Sequence, residues 1–409
     1  MSTVTPADLF FHRPELAKAL ADQALDVSLG TSGGMFLAAP RRTGKSTFVR
    51  QDLVPELEQR GVHVIYVDLW IDKSVDPAIH IANAVREALA AADGAVMKMF
   101  KVAAGMTSFN VGAMGSGLSF DLSQLGLAKE STLADALKTL SKALKCKLVL
   151  VIDEAQHALT TDGGMNALFS LKAARDSLNT DTGLHGMQLI ATGSNRDKLA
   201  TLVNGREQAF YGADMVTFPP LGKDYLAWAI RRSGLVVDEE VAFETFTKLG
   251  YRPEPFRKAL TETRLALAVN PVLDGTQVLA EKAATGTLLA KTDFLNTVAN
   301  LPPLQSALLR ELSVDARRAP GSRRDGVFSA PMKKRLQERL QADMGKDHGV
   351  SVEPSSIQNA MDSLREDNFL WRSQRGNYAI EDEQFADWLA EDEPETPEVD
   401  QSAEAPPQP

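Results

Sequence analysis

Eight residues, Ala39-Pro40-Arg41-Arg42-Thr43-Gly44-Lys45-Ser46, carry the plainest chemistry in the chain. An apolar run, Met35-Phe36-Leu37-Ala38, precedes them, and a helical pattern from Ser46 to Arg60 follows. Strand, tight loop ending Gly-Lys-Ser, then helix is the setting a phosphate-binding loop requires. Residues Pro40, Arg41, Arg42, Thr43, Gly44, Lys45, Ser46 and Thr47 would form the cradle. Backbone N–H groups there curl round an anion, and the helix start adds partial positive charge. Lys45 would reach the outer phosphates, and the Ser46 hydroxyl would hold Mg²⁺. The usual pattern begins with Gly; here Ala39 must fit a turn that Gly eases.

A second constellation complements the first. The apolar run Lys147 to Ile152 ends in Asp153-Glu154-Ala155-Gln156. Two carboxylates at the mouth of a buried strand are costly without a cation. Downstream of Gly-Lys-Ser they have a use: Asp153 would hold the water shell of Mg²⁺, and Glu154 would polarise the water that attacks a γ-phosphate. The next apolar run ends Ala191-Thr192-Gly193-Ser194-Asn195. Asn195 or Ser194 could orient that water or sense the γ-phosphate; the same residues could instead cap the following helix.

These groups need a scaffold that brings three strand ends together. The pattern predicts a helix from about Pro14 to Asp26 and strands at Met35–Ala39, His63–Leu69, Lys147–Ile152, Met187–Thr192 and Met215–Phe218. Helices fall between them at Pro77–Ala92 and Thr132–Leu144, and Pro55 is expected to kink or restart the helix after the loop. Strands alternating with helices imply an α/β domain with a doubly wound parallel sheet and right-handed crossovers. Ligands in such sheets bind beyond the strands' carboxyl ends, where the loop at 39–46 lies.

Composition narrows the classes. Apolar residues make up 44% and charged residues 24% of the 409, ordinary for a globular protein. The formal charge of −10 argues against a uniformly nucleic-acid-coating protein but allows a local basic patch. One cysteine, Cys146, excludes a disulfide scaffold and fits a reducing, cytoplasmic setting. The six histidines show no metal-ligand spacing. No signal-peptide pattern opens the chain. Val102 to Phe120 carries no charge, yet Gly105, Gly112, Gly115 and Gly117 make it a glycine-rich insert rather than a membrane span.

Together these parts resemble the AAA+ and STAND branches of P-loop ATPases, most of all the archaeal-type ATPases with a C-terminal winged helix. The resemblance rests on Pro40 to Ser46 and Asp153-Glu154-Ala155-Gln156, and more loosely on Phe11-His12-Arg13-Pro14-Glu15-Leu16, Ala209-Phe210-Tyr211-Gly212 and Gly250-Tyr251-Arg252-Pro253. It implies ATP and Mg²⁺ as ligands, adenine near Phe11 to Leu16, and a helical lid. It also implies two arginines. The family often has one just after the Tyr-Gly pair, where this chain has Ala213; Arg206, upstream, is the candidate finger reaching a neighbour's γ-phosphate in a homo-oligomer. Arg257, opening a lid helix, resembles a second sensor arginine, with Arg252 competing; a permanent charge and a planar fork suit either role.

The domain boundaries expected are an ATPase core over 1–222 with a glycine-rich insert at about 95–126, a helical lid and connector over 223–300, a winged-helix domain over 301–390 and a disordered acidic tail over 391–409. Apolar-spaced helices at Leu304–Leu312, Ala330–Met344 and Pro354–Glu366 precede a short hairpin, Phe369–Arg372 and Tyr378–Ile380. Helix, helix, helix, wing is the winged-helix order, in which the third helix enters a DNA groove. From Arg317 to Lys346 nine basic residues face three acids, an excess of six. The third helix is not basic, but Ser355, Ser356, Gln358 and Asn359 could contact bases. The function expected is ATP hydrolysis coupled to a DNA-binding winged helix. The alternative is a nucleotide-gated switch with little turnover whose winged helix binds protein. A GTPase is disfavoured because no Asn-Lys-x-Asp stretch is present.

Overall fold

The computed structural model describes residues 10–26, 33–39, 42–72, 74–92, 132–194, 196–317, 326–347, 349–367, 369–374, 377–380 and 382–392. Pro40, Arg41, Asn195, the glycine-rich insert expected at about 95–126 and the tail beyond 392 lie outside them. By its contacts the chain divides into two units, Met1–Ala284 and Thr285–Pro409.

The first unit is built on five strands: β1 (Met35–Ala38), β2 (His63–Asp68), β3 (Leu148–Asp153), β4 (Met187–Gly193) and β5 (Asp214–Thr217). Their order is β2-β3-β4-β1-β5, and all the pairings are parallel. Side chains alternate between faces along a strand, and here each face has its own core. Phe36, Leu148, Leu150 and Ile152 pack on one side with α4 (Pro77–Ala91), α5 (Leu133–Leu144) and α6 (Asp162–Thr180). Met35, Leu37, Val149 and Val151 pack on the other with α1 (Pro14–Leu25) and the helix after the loop. β3 is buried at every position, which is why its sequence reads as an unbroken apolar run. A capping box at Thr132 and Asp135 starts α5.

The helix after the loop restarts at Pro55, as expected. The chain stays helical from α2 (Lys45–Phe48) through a π-turn (Val49–Leu53) into α3 (Val54–Gln59). The widened turn changes the hydrogen-bond register just where proline's missing N–H falls, at the start of α3, so the break is absorbed. The sheet is followed by α7 (Arg196–Asn204) before β5 and by α8 (Lys223–Ser233), α9 (Glu239–Lys248) and α10 (Pro253–Val269) after it. The last three share a core of Tyr225, Leu226, Phe246, Phe256 and Leu260. The rest of the stretch expected as lid and connector holds a single 25-residue helix, α11 (Gly275–Ala299).

The second unit contains α12 (Pro303–Arg317), α13 (Ala330–Met344), α14 (Pro354–Glu366), an antiparallel hairpin of β6 (Leu370–Gln374) and β7 (Asn377–Ile380), and α15 (Glu383–Glu391). Leu308, Leu309, Leu336, Ile357, Leu364 and Leu370 form its core. A polar cluster crosses this unit: buried Glu311 on α12 accepts from Arg335 (2.8 Å) and Arg339 (2.9 Å) on α13, and buried Asp315 also pairs with Arg335. No helix among the described residues is long and apolar enough to cross a membrane.

Phe36 sits fully buried on β1, two residues before the last residue of that strand. Phe36→Ala is expected to lower the unfolding free energy by about 3–5 kcal/mol, read by chemical denaturation, because the cavity left under the sheet cannot collapse.

Candidate functional site

β1 runs into the loop, and Gly44 occupies the left-handed region at φ 85° as the cap of α2. Glycine adopts that backbone at no steric cost. This turn throws Lys45 across the top of the sheet, where the adjacent strand ends of β3 and β4 meet it. Lys45 Nζ donates to Asp153 Oδ1 (2.9 Å), Glu154 Oε1 (3.2 Å) and Thr192 Oγ1 (2.9 Å). All three of its protons are therefore used, and its side chain is only 4% exposed.

Asp153 is held on both oxygens. Oδ1 accepts from Lys45, from the Thr192 hydroxyl and from the Glu154 backbone N–H (3.1 Å). Oδ2 accepts from the Tyr66 hydroxyl (2.9 Å), which reaches across from β2. Ser46 lies near enough to favour the ionised form of this carboxylate. Burial alone would raise the Asp153 carboxyl, but Lys45, Thr192 and Ser46 outweigh it and bring it down to about 2.

Glu154 is held differently. Its backbone is left-handed at φ 55°, a strained position for a residue with a side chain. Its Oε2 accepts from Ser194 Oγ (2.7 Å), Ser194 N (3.3 Å) and Gln156 Nε2. Burial pushes its carboxyl up, and Lys45, Ser194 and Gln156 together bring it below the usual range. Gln156 is itself buried and stands against Gly193, where a Cβ would come within 2.5 Å of Gln156 Oε1. Gly193 thus makes room for the amide that steadies Glu154.

Two cavities meet over the loop. One, of about 380 Å³, is lined by Lys45, Ser46, Asp68, Trp70, Asp153, Glu154 and Ser194 among others. The second, of about 190 Å³, is walled by Phe10, Phe11, Arg13, Phe218, Tyr225, Trp228 and Arg257. Thr43, Gly44 and Thr47 line both. The first is charged and fits phosphates; the second is aromatic and fits a flat ring. The segment holding Phe11 is anchored: Asp52 of the π-turn accepts from the Arg13 backbone N–H (3.1 Å) and pairs with His12 (2.6 Å). The Arg13 guanidinium donates to the Pro219 and Pro220 carbonyls and lies over Phe218.

Of the residues singled out in the sequence, Arg42, Thr43, Gly44, Lys45, Ser46, Thr47, Asp153, Glu154 and Ser194 line the first cavity. Arg257 is exposed on α10 and lines the second. Arg252, half-buried ahead of α10, has its guanidinium lowered by burial and then by the charge of Arg42. Arg206 is exposed in the turn after α7 and is not among the residues lining either cavity. Pro40, Arg41 and Asn195 lie outside the described residues. Thr192, Tyr66 and Gln156 were missed. Gln156, two residues after the paired acids, could have been found in the sequence; Thr192 and Tyr66 gain their places only from which strands lie side by side.

Residues 29–199 match the family described as the AAA domain. That span holds the loop, the paired acids and four of the five strands, and it is similar to the AAA domain over those residues. Among solved structures, the Walker-type ATPase PABY2304 of Pyrococcus abyssi is similar at 18% identity and TM-score 0.54, over 93% of this chain and 96% of that one. The ORC2 protein of Aeropyrum pernix in its ADP form is similar at 14% identity and TM-score 0.52, over 96% and 94%. These likenesses are of fold. No curated protein matches the sequence.

The depressed Asp153 carboxyl links stability to pH. Its folded value of about 2 lies below the ordinary aspartate value of about 3.9. Its contribution is therefore fully present above about pH 5 and is lost as pH falls toward 2. The stability difference between the natural protein and Asp153→Asn, measured by denaturation from pH 6 to pH 2.5, is expected to shrink as pH drops. A difference that stays constant across that range would contradict the assignment.

Proposed function

We propose that the protein binds ATP with Mg²⁺ across the two cavities, hydrolyses it, and couples the nucleotide state to its C-terminal unit. The observation that carries this reading is the ammonium of Lys45 lying within hydrogen-bond distance of both Asp153 and Glu154 at the mouth of the sheet. A triphosphate offers Lys45 the same kind of anionic oxygens, so it competes with the two carboxylates for the ammonium. Lys45 passing to the phosphates leaves Glu154 held by Ser194 and Gln156 alone, which frees one of its oxygens to accept a proton from water. The aromatic walls of the second cavity would stack the adenine, and Arg257 there, with its permanent charge, would meet the phosphates. The similar fold solved in an ADP form supports a nucleotide in this place.

The donor set fits magnesium. Ser46 and Asp153 offer hard oxygens from two side chains, and Mg²⁺ takes the rest of its shell from water and phosphate. Among the described residues no three His, Cys, Asp or Glu side chains are grouped to hold a metal on their own, which agrees with an ion brought in with the substrate. The ion would supply charge neutralisation between the phosphate oxygens.

The second unit supports a winged helix by its order of α12, α13, α14 and the β6–β7 hairpin. Ser355 and Asn359 stand exposed one turn apart on α14, as a base-reading face requires. One observation favours the alternative, a protein-binding wing. Arg335 and Arg339 are spent on Glu311 and Asp315, so the basic excess counted in the sequence overstates what a phosphate backbone could meet. Arg206, exposed in the turn after α7, is the proposed finger toward a neighbouring subunit.

Lys45→Ala is expected to abolish ATP binding in calorimetry, because the cation facing the phosphates is removed. Glu154→Gln is expected to keep binding and to slow phosphate release at least about 100-fold, the usual worth of a positioned base; normal turnover would remove Glu154 from the role. Phosphate release should rise on adding DNA, and the molecular mass in solution should rise with ATP. Release that ignores DNA favours the protein-binding alternative.

A further inference from the structure

We propose that Arg50 and Tyr66 form a relay that positions Asp153 for its metal, making both of them determinants of Mg²⁺ affinity. The inference rests on the reading of Asp153 as the magnesium-side carboxylate. Tyr66 stands on β2, the strand paired with β3, and its hydroxyl donates to Asp153 Oδ2 at 2.9 Å. Arg50 lies on the π-turn one helical turn beyond Ser46. Its Nε donates to the Tyr66 oxygen at 2.9 Å, its guanidinium carbon sits 4.7 Å from the ring centroid, and another of its nitrogens donates to Asp68 Oδ2 at 3.0 Å.

The chemistry gives the relay a direction. A guanidinium has only donors. Arg50 therefore takes the acceptor side of the Tyr66 hydroxyl and leaves its one proton to Asp153. The remaining partners of Asp153 all approach from the loop, from β4 or from its own backbone. Among the described residues, Tyr66 alone braces the carboxylate from the β2 side. Removing it leaves Oδ2 free to rotate away from the Ser46 side of the site. Partners that orient a metal ligand are worth about 10–100-fold in metal affinity.

The π-turn explains how one helix does this. A widened turn marks many functional sites. Here it aims Arg50 at Tyr66 and Asp68 while its Asp52 ties down His12 and Arg13, the segment beside the aromatic cavity. Arg50 and Tyr66 are thus positioning residues; neither is placed among the groups that meet phosphate.

The test is binding of a non-hydrolysable ATP analogue to the full chain, titrated against Mg²⁺. Tyr66→Phe, which removes one oxygen, is expected to raise the Mg²⁺ midpoint about tenfold while leaving metal-free analogue binding unchanged. Arg50→Gln is expected to raise it by a smaller factor and to add nothing on the Tyr66→Phe background, since the two act through one hydroxyl. Lys45→Ala is the control. If Lys45→Ala still binds the analogue, the site reading fails and the relay with it. If Lys45→Ala loses binding and the Mg²⁺ midpoints of Tyr66→Phe and Arg50→Gln match the natural protein's, the relay alone is overturned. Should Tyr66→Phe not fold, Arg50→Gln carries the same comparison.

Discussion

The buried ammonium of Lys45 is the constraint around which the first unit is organised. Taking a cation and two carboxylates out of water is expensive, and their mutual attraction offsets that cost only when geometry and extra hydrogen bonds are good. Here every proton of Lys45 has an acceptor, and both Asp153 oxygens are occupied. A fold selected for stability alone would do as well with apolar side chains at these positions. The charged cluster therefore reads as an investment in function. The scaffold follows from it: three neighbouring strands, β1, β4 and β3, must end at one level, and parallel pairing with both faces buried is how they do so.

Two acids side by side in sequence are held in different ways by their surroundings. Asp153 is 1% exposed and is gripped by fixed groups on two strands and a helix, which holds it as an anion. Glu154 is 15% exposed, sits on a left-handed residue just past the strand, and is held by the side chains of Ser194 and Gln156. A rigid anion suits a metal's water shell, whereas a carboxylate on rotatable tethers suits a base that must change partners. Both carboxyls are held below their usual values, so what separates the two is how firmly each is fixed. The tethers also tie Glu154 to β4, because Ser194 follows that strand directly.

Much of this was legible in the sequence, and the reasons are local. Gly44, Lys45 and Ser46 declare themselves because a loop before a helix needs a left-handed residue, a cation and a hydroxyl in that order. Asp153 and Glu154 stand out because they end a strand otherwise too apolar to see water. Tyr66, Thr192 and Arg50 did not stand out, because their roles depend on which strands lie side by side and on a π-turn that no local pattern announces. Pro55 marks the restart it predicted, opening α3 where the π-turn has already changed the hydrogen-bond register. The sequence placed Arg206 and Arg257 only by resemblance, and Arg257 lines the aromatic cavity while Arg206 lines neither.

The C-terminal unit shows why counting charges along a chain differs from reading a surface. From the sequence, Arg335 and Arg339 belong to a basic stretch fit for a phosphate backbone. In the fold both turn inward to Glu311, and Arg335 also to Asp315, two carboxylates that are themselves buried. A buried carboxylate deprived of its cation costs several kcal/mol, so neither arginine can leave for DNA without loosening α13 from α12. Phosphate contact by this unit must then come from other residues, and its strength would depend on salt through fewer charges than the sequence count implies. A steep loss of DNA affinity with salt would require cations beyond those two. A shallow one would point to recognition by neutral side chains such as Ser355 and Asn359, which face outward on α14.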